Sequence, residues 1–139
     1  MTGLRDRSIR TLAWLGDARF ELEVRRRLST RGDYPTERLD AMKASLVRAE
    51  AQAELLAQID AELTDDERAV VSRGRNATPS GGRGRRDTRA YREATGFEAL
   101  VAWWAEDPAC ERFTEVVAPR LDAAIDEAVE RGANKPKRG

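Results

Sequence analysis

Two acidic residues fall where helical periodicity places apolar ones. In LAWLGDARFELEV, residues 12–24, a turn of about 100° per residue brings Ala13, Phe20, Val24 and Leu28 within roughly 60° of one another, and Asp17 lands inside that arc. A carboxylate among apolar neighbours is costly unless a hydrogen bond, a cation or a metal compensates it. In YREATGFEALVAWW, residues 91–104, Glu98 shares its face with Ala94, Val101, Ala102 and Ala105, while Phe97, Leu100, Trp103 and Trp104 point elsewhere. Small neighbours let another helix come close. If the two helices pack together the acids converge, and carboxylates around one cavity repel unless a cation or a shared proton lies between them. The chemistry this allows is an Mg²⁺ site that activates a water and binds a phosphodiester oxygen. The alternative, commoner for buried acids, pairs each with an arginine or leaves it at a wet edge of the bundle. Spacing alone leaves both open. Glu21, one turn beyond Asp17, reads either as an outer group of such a site or, preferably, as surface.

What the chain lacks narrows the chemistry further. It has no histidine, which removes the commonest general base and imidazole zinc sites, and its single cysteine, Cys110, can form neither an intrachain disulfide nor a CxxC motif. No GxxxxGK[ST] loop is present. Carboxylates and a hard, oxygen-loving metal are what remains for an enzyme. No apolar run approaches the roughly 20 residues that span a bilayer, and MTGLRDRSIR is not a signal sequence. The expectation is a cytoplasmic protein with no membrane association.

The elements that must carry these acids are helices. A length of 139 residues, 40% hydrophobic and 36% charged, fits one mostly helical domain with a core of its own. The pattern predicts a helix over 8–28 with Ser8 as a possible N-cap, then a break at Gly32 and Pro35. A long helix follows from about Thr36, dividing near Ala61. Thr64-Asp65-Asp66-Glu67 has the form of a capping box and starts a short helix ending near Ser72. Residues 74–87, with four glycines and a proline, read as a mobile basic loop. Helices from about Thr88 to Ala105 and over 109–131 complete a single domain spanning 1–131, and 132–139 read as a disordered basic tail.

Charge is segregated although the net charge is zero. Residues 49–67 hold seven acids and no base, whereas 73–92 hold seven arginines. Such a basic run attracts a polyanion, unless it is simply a solvated face.

Three stretches in this order, L12-A-W-L-G-D-A-R-F-E21, G74-R-N-A77 and Y91-R-E-A-T-G-F-E-A-L100, resemble mini-ribonuclease III, the short bacterial branch of the ribonuclease III family. K43-A-S-L-V47 resembles a further segment of ribonuclease III catalytic domains. The resemblance spans about residues 8–105. It implies an all-α, ribonuclease III endonuclease-domain-like helical bundle that is dimeric. The implied activity is metal-dependent endonucleolytic cleavage of double-stranded or structured RNA, leaving a 5′-phosphate and a 3′-hydroxyl, in ribosomal RNA precursor maturation. Implied partners are the RNA, a second copy of the chain and an accessory ribosomal protein. A domain that binds structured RNA with little or no cleavage is the alternative.

By the same resemblance, Asp17 and Glu98 are the catalytic and metal-binding acids for Mg²⁺, with Mn²⁺ as a substitute, and Trp14 belongs to the dimer interface. Two further family acids are missing, since Ala13 and Thr95 stand in their places. Glu50 is at most an outer ligand. With no room for a separate RNA-binding domain, the grip on RNA falls to the arginine-rich loop. Arg73, Arg75 and Asn76 at its start suit positioning, Arg83, Arg85 and Arg86 suit general attraction, and Lys43 suits a phosphate or a site acid.

Overall fold

A computed structural model describes residues 3–77 and 88–133. Its helices are α1 (Ile9–Arg31), α2 (Thr36–Val47), α3 (Ala49–Ile59), α4 (Asp65–Ala77), α5 (Thr88–Ala105) and α6 (Ala118–Ala133). Short 3₁₀ turns occupy Leu4–Asp6 and Asp60–Glu62, a π-helical turn occupies Phe113–Val117, and the described residues contain no strand. The domain is all-α. The tail 134–139 and the stretch 78–87 lie outside the described residues.

Helix α1 starts as its sequence predicts: the Ser8 hydroxyl accepts from the Thr11 N–H at 3.2 Å, satisfying one of the donors a helix start leaves unpaired. One face of α1, through Leu12, Ala13, Gly16, Phe20, Val24 and Leu28, is buried. It packs on α5, where Phe20 meets Phe97 edge-to-face with ring centroids 5.1 Å apart. Helix α5 is the centre of the bundle, in contact with α1, α3 and α4. The larger residues predicted to point away from the Glu98 face are therefore core residues on its other sides: Phe97, Leu100 and Trp104 are all buried.

Three boundaries differ from the periodicity reading. The long second helix does divide near Ala61, where α3 ends at Ile59 and the Asp60–Glu62 turn follows, but it also breaks earlier, at Arg48, whose backbone is extended. No glycine or proline marks the break. The Gln52 side chain satisfies the Val47 carbonyl left there, at 2.8 Å. Second, Gly74 does not open a loop, because α4 continues to Ala77. A Cβ on Gly74 would lie 2.6 Å from the Gly96 Cα, so these glycines serve close helix contact. Third, the last helix begins with a π turn. Pro119 lacks the N–H that an α-helix would direct to residue 115, and the wider turn precedes it.

The capping box at Thr64 forms reciprocally: the Thr64 N–H donates to Glu67 Oε1 at 2.8 Å, and the Glu67 N–H donates to Thr64 Oγ1 at 3.2 Å. Glu67 does more than cap. It is buried and also accepts from Trp104 Nε1 at 2.9 Å and from Arg112 Nε at 2.8 Å, tying α4 to α5 and to the start of the last helix. Burial alone raises its pKa, but the Arg112, Thr64 and Trp104 donors outweigh burial and hold it at about 2. Because the folded pKa lies below the ordinary value of 4.5, this contribution is complete above pH 4.5 and is lost as pH falls toward 2. The shift corresponds to about 3 kcal/mol. Urea unfolding of Glu67→Gln is expected to show a deficit of that order at pH 7 that closes by pH 2, whereas a pH-independent deficit would contradict the account.

Candidate metal centre

The site is built where α1 crosses α5. Gly16 sits against the Glu98 backbone so closely that a Cβ there would lie 1.7 Å from the Glu98 carbonyl oxygen. Only a glycine permits that approach. Asp17, the next residue on α1, is thereby carried close enough to Glu98 on α5 for its negative charge to act on that carboxyl. Asp17 is solvent-exposed, so its place in the apolar arc is at the open edge of the helix contact, not within the core. Glu98 is half-buried behind it.

Burial first, and then the negative charge of Asp17, push the Glu98 carboxyl well above the usual carboxylate range. A hydrogen bond from Gln52 partly opposes them: Gln52 Nε2 donates to Glu98 Oε2 at 3.2 Å. Among the described residues, no arginine or lysine forms an ion pair with either acid. The arginine-paired arrangement that spacing left open is therefore not the one adopted there.

The donor set fits a hard divalent cation. It offers two carboxylates and lies beside a buried amide oxygen, Gln52 Oε1, that has no hydrogen-bond partner among the described residues. No third histidine, cysteine, aspartate or glutamate joins the cluster among those residues. Mg²⁺ suits such a sparse set, since it is commonly held by one or two carboxylates and keeps several waters.

The other sequence candidates lie around this centre. Lys43 is half-buried, its Nζ 3.6 Å from Glu21 Oε1, and Glu21 also pairs with Arg25 at 2.8 Å. Glu21 is thus partly buried and engaged, not a free surface acid. Arg73 and Asn76 are exposed near the end of α4, while Arg75 pairs with Glu93 of α5 at 2.8 Å. Glu50 lies away from the acid pair's own contacts, lining a cavity of about 760 Å³ with Arg68, Arg75, Arg89 and Glu93. Trp14 is 74% exposed. Arg83, Arg85 and Arg86 fall outside the described residues. Gln52 was not among the candidates, although it stands at i−3, i−4 and i−7 from the buried Leu55, Leu56 and Ile59. The test that exposes Asp17, a polar residue on an apolar face, also finds it.

Comparison with known proteins gives this arrangement a family. The Ribonuclease III domain family matches residues 10–108. A mini-ribonuclease 3 from Symbiobacterium thermophilum is 43% identical over 122 residues, covering 88% of this chain and 90% of the relative. One from Gloeobacter violaceus is 42% identical over 103 residues, covering 72% and 73%. The crystal structure of protein FN1578 from Fusobacterium nucleatum superposes with a TM-score of 0.75 at 25% identity, over 89% of this chain and 95% of that one. The fold is that of a ribonuclease III domain. Within that family, the chain belongs to the mini-ribonuclease 3 branch.

If the crossing at Gly16 positions the acids, Gly16→Ala must force α1 and α5 apart. The expected result is a loss of about 3 kcal/mol or more, at the upper end of overpacking costs. Chemical denaturation measures it, and a stability equal to that of the unsubstituted protein would show that the contact is not tight.

Proposed function

We propose that this chain, an endoribonuclease acting on structured RNA, hydrolyses double-stranded RNA with Mg²⁺ held by Asp17 and Glu98, leaving a 5′-phosphate and a 3′-hydroxyl. What supports this reading above all is the convergence of two uncompensated carboxylates at one helix crossing. Bound there, Mg²⁺ (or Mn²⁺) supplies positive charge toward the scissile phosphate and acidifies water. Asp17, exposed, faces the solvent side from which a phosphodiester arrives, and Glu98 anchors the ion from the recessed side. No histidine is needed as a base.

RNA is held by the basic end of α4 and by the arginines beyond it. Arg73 and Asn76 are free to meet phosphate and 2′-hydroxyl groups, and Arg83, Arg85 and Arg86 add attraction in sequence. Arg75 and Lys43, engaged by Glu93 and Glu21, serve by setting local charge and orientation. A precursor of large-subunit ribosomal RNA is the natural substrate, with an accessory ribosomal protein as a further partner.

The active form is a homodimer. Trp14, Ala18 and Leu22, spaced i, i+4 and i+8 on α1, make an exposed stripe, and a shallow depression there is lined by Trp14, Leu15, Asp17, Ala18 and Glu21. An exposed tryptophan is costly unless a partner covers it. The partner copy would then sit beside the metal centre, and two centres facing opposite strands give a staggered cut.

Two measurements test the reading. With purified duplex RNA and Mg²⁺, Asp17→Asn and Glu98→Gln should each cut about 100-fold more slowly or worse, while both still bind the duplex in a salt-sensitive manner. Unaltered cleavage by both variants would reject the assignment. In sedimentation, the unsubstituted chain should run as a dimer and Trp14→Ala as a monomer or a weakened dimer. A monomeric unsubstituted chain that cleaves normally overturns the interface.

A further inference from the structure

We propose that Gln52 is a positioning residue of the metal centre, holding the Glu98 carboxylate in the orientation that receives a divalent cation. The inference rests on the reading of Asp17 and Glu98 as metal ligands. Its ground is the hydrogen bonding of one amide. Gln52 is 2% exposed, among the most buried polar residues described. Its Nε2 donates to two oxygens, the Val47 carbonyl at 2.8 Å and Glu98 Oε2 at 3.2 Å.

The Val47 carbonyl can only accept, so it fixes which end of the amide is nitrogen. The second N–H of that nitrogen then points at Glu98 and can do nothing but donate to it. This sense of the bond is what a metal ligand requires. One carboxylate oxygen is held from behind by a neutral donor, which costs the ion none of its charge attraction. An arginine in the same place would neutralise Glu98 and compete with the ion, and a leucine would leave the carboxylate free to rotate. The anchor itself depends on the break between α2 and α3, because the Val47 carbonyl lacks a helical partner where Arg48 turns extended.

The remaining atom of the amide, Oε1, is buried and without a hydrogen-bond partner among the described residues. Leaving a buried acceptor unpaired costs free energy. A donor brought to this oxygen when an ion binds at Glu98 would relieve that cost. Groups that orient a metal ligand in this way typically contribute 10- to 100-fold to metal affinity.

The test uses the full chain and reads metal affinity apart from cleavage. Mn²⁺ binding is measured by titration calorimetry, and melting temperature is recorded for each variant without metal. Gln52→Met keeps the length and volume of the side chain and removes its donors. It is expected to weaken Mn²⁺ binding roughly 10- to 100-fold, and to raise by a similar factor the Mg²⁺ needed for half-maximal cleavage, with the rate largely restored at saturating Mg²⁺. A purely structural role would lower the melting temperature and leave the folded protein's Mn²⁺ affinity unchanged, which would overturn the proposal.

A second measurement needs no substitution. The sequence has only two glutamines, Gln52 and Gln58, so the side-chain amide signals in a nitrogen-15 spectrum are readily assigned. Adding Mg²⁺ should shift the Gln52 signal and leave that of Gln58, exposed on α3, in place. An unmoved Gln52 signal on saturation with Mg²⁺ counts against the proposal even if Gln52→Met fails to fold. Asp17→Asn separates the two layers. If it binds Mn²⁺ as tightly as the unsubstituted chain, the metal-site reading itself fails. If it loses binding while Gln52→Met does not, only the role of Gln52 fails.

Discussion

The closest approach between α1 and α5 governs this molecule. With no Cβ at Gly16, the backbone of α1 rests on the Glu98 carbonyl, and everything next to that point is positioned by it. Asp17 follows immediately in sequence, so the residue that allows the crossing also delivers the acid. Phe20, one turn further along, meets Phe97 on the same helix pair and keeps the crossing from sliding. A second glycine contact, Gly74 against Gly96, draws α4 onto α5 in the same manner. The Gly-Asp pair works as one device: close helix contact and placement of a carboxylate in adjacent positions.

Two glutamates show how environment separates structure from chemistry. Glu67 is more deeply buried than Glu98, yet it is surrounded by the Thr64 N–H, the Trp104 indole and the Arg112 guanidinium, and it is held ionised. It closes a network and has nothing left to offer. Glu98 has one neutral donor, Gln52, and faces another acid. Its charge is opposed by burial and by Asp17, and the protein provides no cation among the described residues to relieve it. Perturbation of this kind, concentrated at an open edge, is characteristic of a functional site.

The charge distribution of the chain extends the same division. Of the acids gathered over 49–67, Glu62, Asp60 and Glu67 are taken up by ion pairs with Arg120, Arg68 and Arg112. The arginines over 73–92 are engaged at Arg75 but exposed at Arg73 and Arg92. A neutral molecule can therefore keep one cationic end for a polyanion, since an RNA duplex responds to local potential, not to net charge.

Much of this was written in the order of residues. Ser8 and the Thr64 box declare helix starts, because capping needs only side chains within a few positions of their own backbone. The burial of Phe20, Val24 and Leu28 followed from period alone, and so did the anomaly of Asp17. The break at Arg48 did not, for no local residue demands it; Gln52 and the packing of both halves make it affordable. Nor could period say that Asp17 lies at an exposed edge, that Gly74 belongs to a helix contact, or that Gln52 reaches Glu98. Local order is set by interactions a few residues apart and can be read along the chain. Which carboxylate meets which, and whether an arginine or an amide stands behind it, depends on how helices distant in sequence cross, and only the folded packing decides that.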